Sequence, residues 1–444
     1  MLKDQPWVHY YKDLHHEWRH AVDEGKDVAD LKEECDRIAK LDLDDTDIPS
    51  LANDMFERLA QAPVKSDFHF EEPSDLNGIQ ALRPNNRPVM LRPVNKDALR
   101  DRMQGAWLGR IAGCLLGKPI EGYHSPRLTT LLKGSNNYPL SRYISSEISD
   151  ELKIEIDFFE GATWINKIDG KAPVDDDTNY TVLGLKIIER YGKDFTPDDV
   201  GEAWLSWVPV LSTCTAERVA YKNLCSGLLP PNSATYQNPF REWIGAQIRA
   251  DFFGYVNPGN PALAADMAWR DASISHVKNG IYGEMFVAAM LAAAAVSDDM
   301  IEVIEAGLGE IPQNCRLTEK IKLVLRWFQD GVSAEDVVKN IHEMYDERTG
   351  HDWCHTISNA MVVVFGLLYG EKDFSKSICI AVQACFDTDC NGATVGSIVG
   401  MMIGAKKIPA QWTEPFNNLL LTTIEGYNLV EISKLAERTI ELID

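Results

Sequence analysis

Along most of this chain, apolar residues recur at the three- and four-residue spacing of amphipathic helices. Leu99, Met103, Ala106, Trp107 and Ile111 share one broad side of a helix predicted from Asp97 to Gly117. Val182, Leu185 and Ile188 follow Asp177 in the same way, and Gly192 after Tyr191 is a stop signal. Thr196-Pro197-Asp198-Asp199 opens the next helix, with Pro at its first position and acids in its first turn. The pattern predicts further helices at Pro261 to Asp271, Gly283 to Val296, Asp299 to Ala306, Thr318 to Phe328, after Ser333, and at Thr356 to Tyr369 and Phe374 to Ala384. Alternation with period two is scarce; Lys153 to Phe159 is its best case and could equally begin a helix. No strand–glycine loop–helix unit supports a dinucleotide-binding fold, and no repeat period supports a solenoid. The expectation is an all-α, multi-helix bundle.

The first part of the chain reads as a helical extension. Leu14, Trp18 and Val22 recur at four-residue spacing, as do Leu31, Cys35 and Ile38 nearly so, and such a stripe needs an apolar partner, expected on the main domain. The Pro- and Asn-rich stretch from Pro63 to Pro93 has little periodicity and reads as a connector or an irregular wrap. We therefore divide the chain into an extension with its connector (1–92) and a main domain (93–444).

Composition narrows the function classes. With 45% hydrophobic and 25% charged residues, most of the chain is expected to fold. A net charge of -23 leaves no bulk basic footprint for nucleic acid. Nine cysteines, an odd number, and no apolar leader in Met1 to Tyr11 point to reduced thiols and a cytoplasmic setting. Met285 to Val296 and Thr394 to Ala405 are the most apolar runs, too short to span a bilayer.

Candidate chemistry lies in two aspartate clusters. Asp175-Asp176-Asp177 stands at a helix start, where three adjacent carboxylates either cap the helix in solvent or share a hard cation. Asp387-Thr388-Asp389 stands between two apolar helices, where unpaired charge would be costly, so cation ligation is favoured there. Gly105, Gly109, Gly113 and Gly117 fall at every fourth position, and Gly392, Gly396, Gly400 and Gly404 repeat the spacing after the second cluster. Repeated glycine on one helix face implies close approach by another segment. Glu121 is a single carboxylate in a turn bounded by Pro119 and Gly122. The acidic run Asp42, Asp44, Asp45 and Asp47 reads as a solvated capping region. His351, Cys354 and His355 could hold Zn²⁺ but lack an obvious fourth ligand, and a helix-start cluster is preferred. Ser273, Ser275 and His276 join two apolar helices and could sit beside a polyol or phosphate.

Four motifs in this order resemble the ADP-ribosylglycohydrolase family, from roughly Asp101 to Trp412: Gly113 to Glu121, Asp175 to Thr178, Ser273 to His276, and Asp387 to Cys390 with its trailing glycines. The resemblance implies that family's orthogonal all-α bundle, two divalent cations (Mg²⁺ or Mn²⁺), and hydrolysis of the glycosidic bond of an ADP-ribosyl group on a protein or small-molecule acceptor. It implies metal ligation by Asp175, Asp176, Asp177, Asp387 and Asp389. It implies catalysis by Glu121, Asp176 and Asp387, and substrate contact by Gly117, Ser273, Ser275 and His276. No membrane or nucleic-acid partner is implied. This chain departs from the family at Asp175, where Thr or Ser is usual, at Cys114, where Asp is, and at Cys390, where Thr is. Cys385-Phe386 replaces a frequent Gly-Gly. A hydrolase of a free nucleotide-sugar or related N-glycoside, or a catalytically silent ADP-ribose-binding module, are the alternatives.

Overall fold

The computed structural model describes residues 5–41, 46–90, 92 and 95–443. Helices dominate it, joined by short turns. The expected helices form: Lys96–Gly117, Asp176–Tyr191, Pro197–Trp207, Pro261–Ala272, Lys278–Ala294, Met300–Leu308, Arg316–Gln329, Ala334–Met344, Thr356–Tyr369 and Phe374–Gln383. Local chemistry sets their ends. Thr196 and Asp199 close a reciprocal capping box ahead of Pro197, and Gly192 turns with φ of 76° to end the Asp176–Tyr191 helix. Of the alternating run from Lys153 to Phe159, the first three residues end the helix Asp150–Glu155, which Ser149 caps through the Leu152 N–H, and the rest leaves it through a turn with Asp157 at φ of 48°. A two-stranded antiparallel ribbon, Leu419–Leu421 with Leu429–Glu431, escaped the periodicity because three residues are too few to alternate. Among the described residues, the fold is all-α apart from this ribbon.

One large core runs through the bundle, with the Lys278–Ala294 helix buried along nearly its whole length at its centre. A second, separate apolar cluster belongs to the N-terminal helices Leu14–Asp23, Lys32–Ile38 and Ile48–Gln61. Leu14, Trp18 and Val22 turn into this small core and not onto the main bundle. The opposite, polar edge of the Leu14–Asp23 helix docks instead: Glu17 pairs with Arg241, Asp23 with His351, and Glu24, just beyond it, with Lys278. The stretch after Pro63 wraps the bundle and is pinned by Glu72 to Arg316 and by Arg83 to Asp266 and Glu310. It carries one short helix, Leu76–Ala81. In the acidic run, Asp42, Asp44 and Asp45 lie outside the described residues, and Asp47 is an exposed residue just before the Ile48–Gln61 helix. All nine cysteines are free thiols. Among the described residues, no helix is long and apolar enough to cross a membrane.

Candidate metal centre

The centre is assembled by backbone contact between two helices far apart in sequence. Lys96–Gly117 and Thr388–Ile403 run antiparallel with glycine facing glycine: Gly105 meets Gly400, Gly109 meets Gly396, and Gly113 meets Gly392. A Cβ on Gly113 would lie 1.9 Å from the Gly392 carbonyl oxygen, so a side chain there must drive the helices apart. The register carries the end of the first helix to the start of the second. There the Thr388 hydroxyl donates to the Gly117 carbonyl at 2.9 Å. Gly117 is thus spent on helix contact, and Glu121 follows one short turn later and is exposed.

The first aspartate cluster opens the Asp176–Tyr191 helix. Asp175 caps it, accepting the Asp177 N–H at 2.9 Å, while its other oxygen holds Lys118 at 2.5 Å. Asp177 lies 3.3 Å from the buried Arg110, which also serves Asp251 at 2.9 Å. Asp176 is partly exposed between them. In the second cluster, Cys385 and Phe386 both take left-handed backbone conformations (φ of 65° and 59°), which cost roughly 1–2 kcal/mol each for residues with a side chain. This turn delivers Asp387 to the N-cap of the Thr388–Ile403 helix. The Asp387 N–H donates to Asn359 Oδ1 at 3.1 Å, and Asn391 donates to the same oxygen at 2.8 Å. The Cys354 thiol reaches Asp387 Oδ2 at 3.6 Å.

The two clusters meet. Donor atoms of Glu121, Asp387 and Asp389 lie within 4.8 Å of one another, as do those of Asp177, Asp389 and Cys390, and those of Cys114, Asp175 and Asp177. Six carboxylates therefore share Lys118 and Arg110 as cations, and Arg110 is divided with Asp251. Asp387 and Asp389 are each only 4% exposed, and one oxygen of each has no hydrogen-bond partner. The electrostatics follow. Burial, then Asp389 and Glu121, raise the Asp387 carboxyl well above the usual range. The Asp389 charge, then burial, does the same to Glu121. Asp176 is pushed up to about 7 by burial of its carboxyl and by Asp175 and Asp389. Cation binding relieves such crowding, and these oxygens suit a hard divalent ion.

Behind the first cluster is a shell that the sequence did not mark. Arg249 is fully enclosed by Glu217 at 2.9 Å, Asp271, and Glu284 at 3.6 Å, with Trp204 and Tyr180 over its guanidinium. Its six members come from six separate segments, so no local motif could reveal them. Ser273 and His276 line a groove of about 590 Å³ with Ser74, Pro197, Pro231 and Trp269, and none of the six carboxylates lines it. Ser275 is buried, its hydroxyl 2.8 Å from His276 Nδ1. Burial, then Arg249, lowers the His276 ring well below its ordinary range, so it is neutral.

Two further His and carboxylate groups lie where the N-terminal helix docks: Asp23, His351 and His355, and His20, Glu24 and Glu242. Their hydrogen bonds make them poorer cation sites. His355 Nδ1 accepts the Ile357 N–H at 3.1 Å, and His351 Nδ1 faces the Trp243 indole N–H at 3.4 Å. His355, held neutral by burial, therefore carries its proton on Nε2, and His351 Nε2 lies 2.8 Å from Asp23. Glu24 and Glu242 already hold Lys278 and Arg316 at 2.5 and 2.8 Å.

Comparison with known proteins gives the following. The sequence profile of the ADP-ribosylglycohydrolase family matches residues 95–443. No curated protein sequence matches the chain. One solved structure similar to it, described as an ADP-ribosylglycohydrolase-related protein complex, is 17% identical and covers 78% of this chain and 98% of its own length, with a TM-score of 0.44.

Proposed function

The chain belongs to the ADP-ribosylglycohydrolase family, and on that premise we propose that it is a metal-dependent hydrolase that cleaves the glycosidic bond of an ADP-ribosyl group from a protein or small-molecule acceptor. One observation carries this reading: Asp177, Asp387, Asp389 and Glu121 converge with too few cations to balance them, leaving buried carboxylate oxygens unpartnered. The residues fit divalent ions such as Mg²⁺ or Mn²⁺. Asp177, Asp387 and Asp389 would hold them, with Asp176 at the open side. Asp175 is already engaged by Lys118 and the Asp177 N–H, so it tunes charge and caps the helix. Bound divalent ions would supply Lewis acidity, orienting ribose hydroxyls and activating water.

The remaining work falls to the chain. Glu121 is the most exposed carboxylate of the set, and the Asp389 charge raises its carboxyl, so it is the group suited to give a proton to the leaving group or, once ionised, to take one from water. The negative field of the cluster favours positive charge developing at an anomeric carbon. Asn359 fixes the turn that aims Asp387. Ser273 and His276 line a groove that contains none of the six carboxylates, so no contact with the reacting ribose is assigned to them, and Ser275 sets the imidazole there. The setting is proposed to be cytoplasmic, and residues 1–92 are proposed to be a docked extension and not a second enzyme.

The test is release of ADP-ribose from ADP-ribosylated protein and from free ADP-ribosyl compounds, with chelator and with Mn²⁺ or Mg²⁺ restored. Metal-restored release from protein supports the reading. Release only from free nucleotide-sugars moves the substrate class, and binding of ADP-ribose without release marks a silent module.

A further inference from the structure

The donors of the centre are not all alike. One group, Glu121, Asp387 and Asp389, is oxygen only; another, Asp177, Asp389 and Cys390, brings a buried thiol within 4.8 Å of two carboxylates. Resting on the reading that this centre holds divalent cations, we propose that its two positions differ in hardness: Asp177, Asp389 and Cys390 take a thiophilic ion such as Zn²⁺, Asp387 and Asp389, with Glu121 beside them, take an oxygen-preferring ion such as Mn²⁺ or Mg²⁺, and Asp389 serves both.

Three observations select these groups. First, Asp389 is 4% exposed and one of its oxygens has no hydrogen-bond partner, so the shared ligand is open. Second, Cys390 follows Asp389 within the first turn of the Thr388–Ile403 helix, whose glycine seam allows little movement, so its sulfur is held at the centre. Zn–S and Zn–O bonds of about 2.3 and 2.0–2.2 Å bring the donors of one ion within about 4.5 Å of each other. The observed spread closes with small side-chain rotations. Third, the other thiols are excluded. Among the described residues Cys354 joins no group of three donors, and Cys114 groups with Asp175, both of whose oxygens are engaged. Sulfur is a poor ligand for Mg²⁺ and a good one for Zn²⁺, so the thiol divides the centre. On binding, the S–H bond breaks, the sulfur–metal bond forms, and the proton leaves to water.

The experiment uses the full chain after chelation, titrated with Co²⁺ alone as a spectroscopic stand-in and, separately, with Zn²⁺ and Mn²⁺. The wild type is expected to show a strong near-ultraviolet thiolate-to-cobalt charge-transfer band. Cys390→Ser is expected to lose that band and to bind Zn²⁺ at least about tenfold more weakly, with Mn²⁺ affinity by electron paramagnetic resonance changed less than about threefold. Cys114→Ser should keep the band. Cys390→Thr, which fills the space and offers an oxygen, provides the same test should the Ser variant fold poorly. Co²⁺ bound with only weak visible bands in the wild type, or a band that survives loss of Cys390, overturns the proposal and leaves the oxygen centre standing. Failure of the wild type to bind any of the three ions overturns the metal reading itself.

Discussion

Two buried polar regions in this molecule are built on opposite principles. Where the N-terminal helix docks, carboxylates are matched: Glu17 with Arg241, Glu24 with Lys278, Glu72 and Glu242 with Arg316, Asp23 with His351. Burial opposes ionisation of Glu242, but Arg316 and His20 outweigh it and bring its carboxyl down to about 2. In the centre, carboxylates outnumber their cations and are pushed upward by burial and by each other. The dock is held by side-chain charge, the centre by backbone contact along a glycine seam. Matched charge marks a structural joint; crowded charge, kept in place by a seam that cannot relax, marks a site awaiting a ligand.

The contrast is broken most severely at the seam. Gly113→Ala is expected to destabilise the protein by roughly 3 kcal/mol or more, the upper range for forcing extra volume into packed helices, and to cost divalent-ion affinity as well; thermal melting with and without Mn²⁺ checks both. Arg316→Met leaves Glu72 and Glu242 buried without their cation, an expected loss of about 3–5 kcal/mol, readable by urea denaturation. In the centre, removing a charge should do the reverse. Asp389→Asn is expected to raise the stability of the chelated protein by roughly 0.5–2 kcal/mol while abolishing the stabilisation that Mn²⁺ gives the wild type. A chelated Asp389→Asn protein less stable than wild type would show that the crowding is already compensated.

Acid sharpens the same comparison, because the two regions should answer it with opposite sign. At the dock, burial first, then neighbouring imidazoles, lower His16 to about 2 and His355 to about 3. Both bind protons in the unfolded chain below about 6.5 but not in the folded one, so their contribution is fully present above that pH. It is lost as pH falls toward 3, by about 2 kcal/mol each at pH 5. In the chelated centre, Asp176 near 7 holds its proton when the unfolded chain has lost it, so its penalty is relieved as pH falls through 7 toward 4. Hydrogen exchange from pH 7 to 5 should therefore speed relative to its intrinsic rate in the Leu14–Asp23 helix and slow in the first turn of the Asp176–Tyr191 helix. Parallel changes in both would dissolve the distinction.

Much of the centre was legible in the sequence because it is written locally. The four-residue glycine spacing, the acids at a helix start, and Asp387 and Asp389 flanked by apolar helices each carry their own physical signal. What escaped is what long-range packing makes. Asp23 joins His351 across most of the chain, and Glu217, Asp271 and Glu284 gather on Arg249 from separate helices. The stripe of Leu14, Trp18 and Val22 predicted a buried face but could not say whose core would bury it. Lys153 to Phe159 alternates as a strand would, yet its first three residues end a helix capped by Ser149 and the rest turns away. The glycine pair that the family often places before its last motif is absent, yet Cys385 and Phe386 adopt the left-handed conformations that such glycines favour. This gives the smallest expected effect: Cys385→Gly should relieve strain and raise stability by under about 1 kcal/mol, with Mn²⁺ affinity unchanged, by paired melting and calorimetric titration.

The central claim is that the crowded carboxylates form a divalent-cation centre, and calorimetric titration of the chelated protein with Mn²⁺, beside Asp387→Asn, tests it most directly. Saturable Mn²⁺ binding to the wild type is expected, with a loss of at least about tenfold in the variant, which lacks the anionic charge of Asp387. Absence of Mn²⁺ binding to the wild type, or equal affinity in the two proteins, would contradict it.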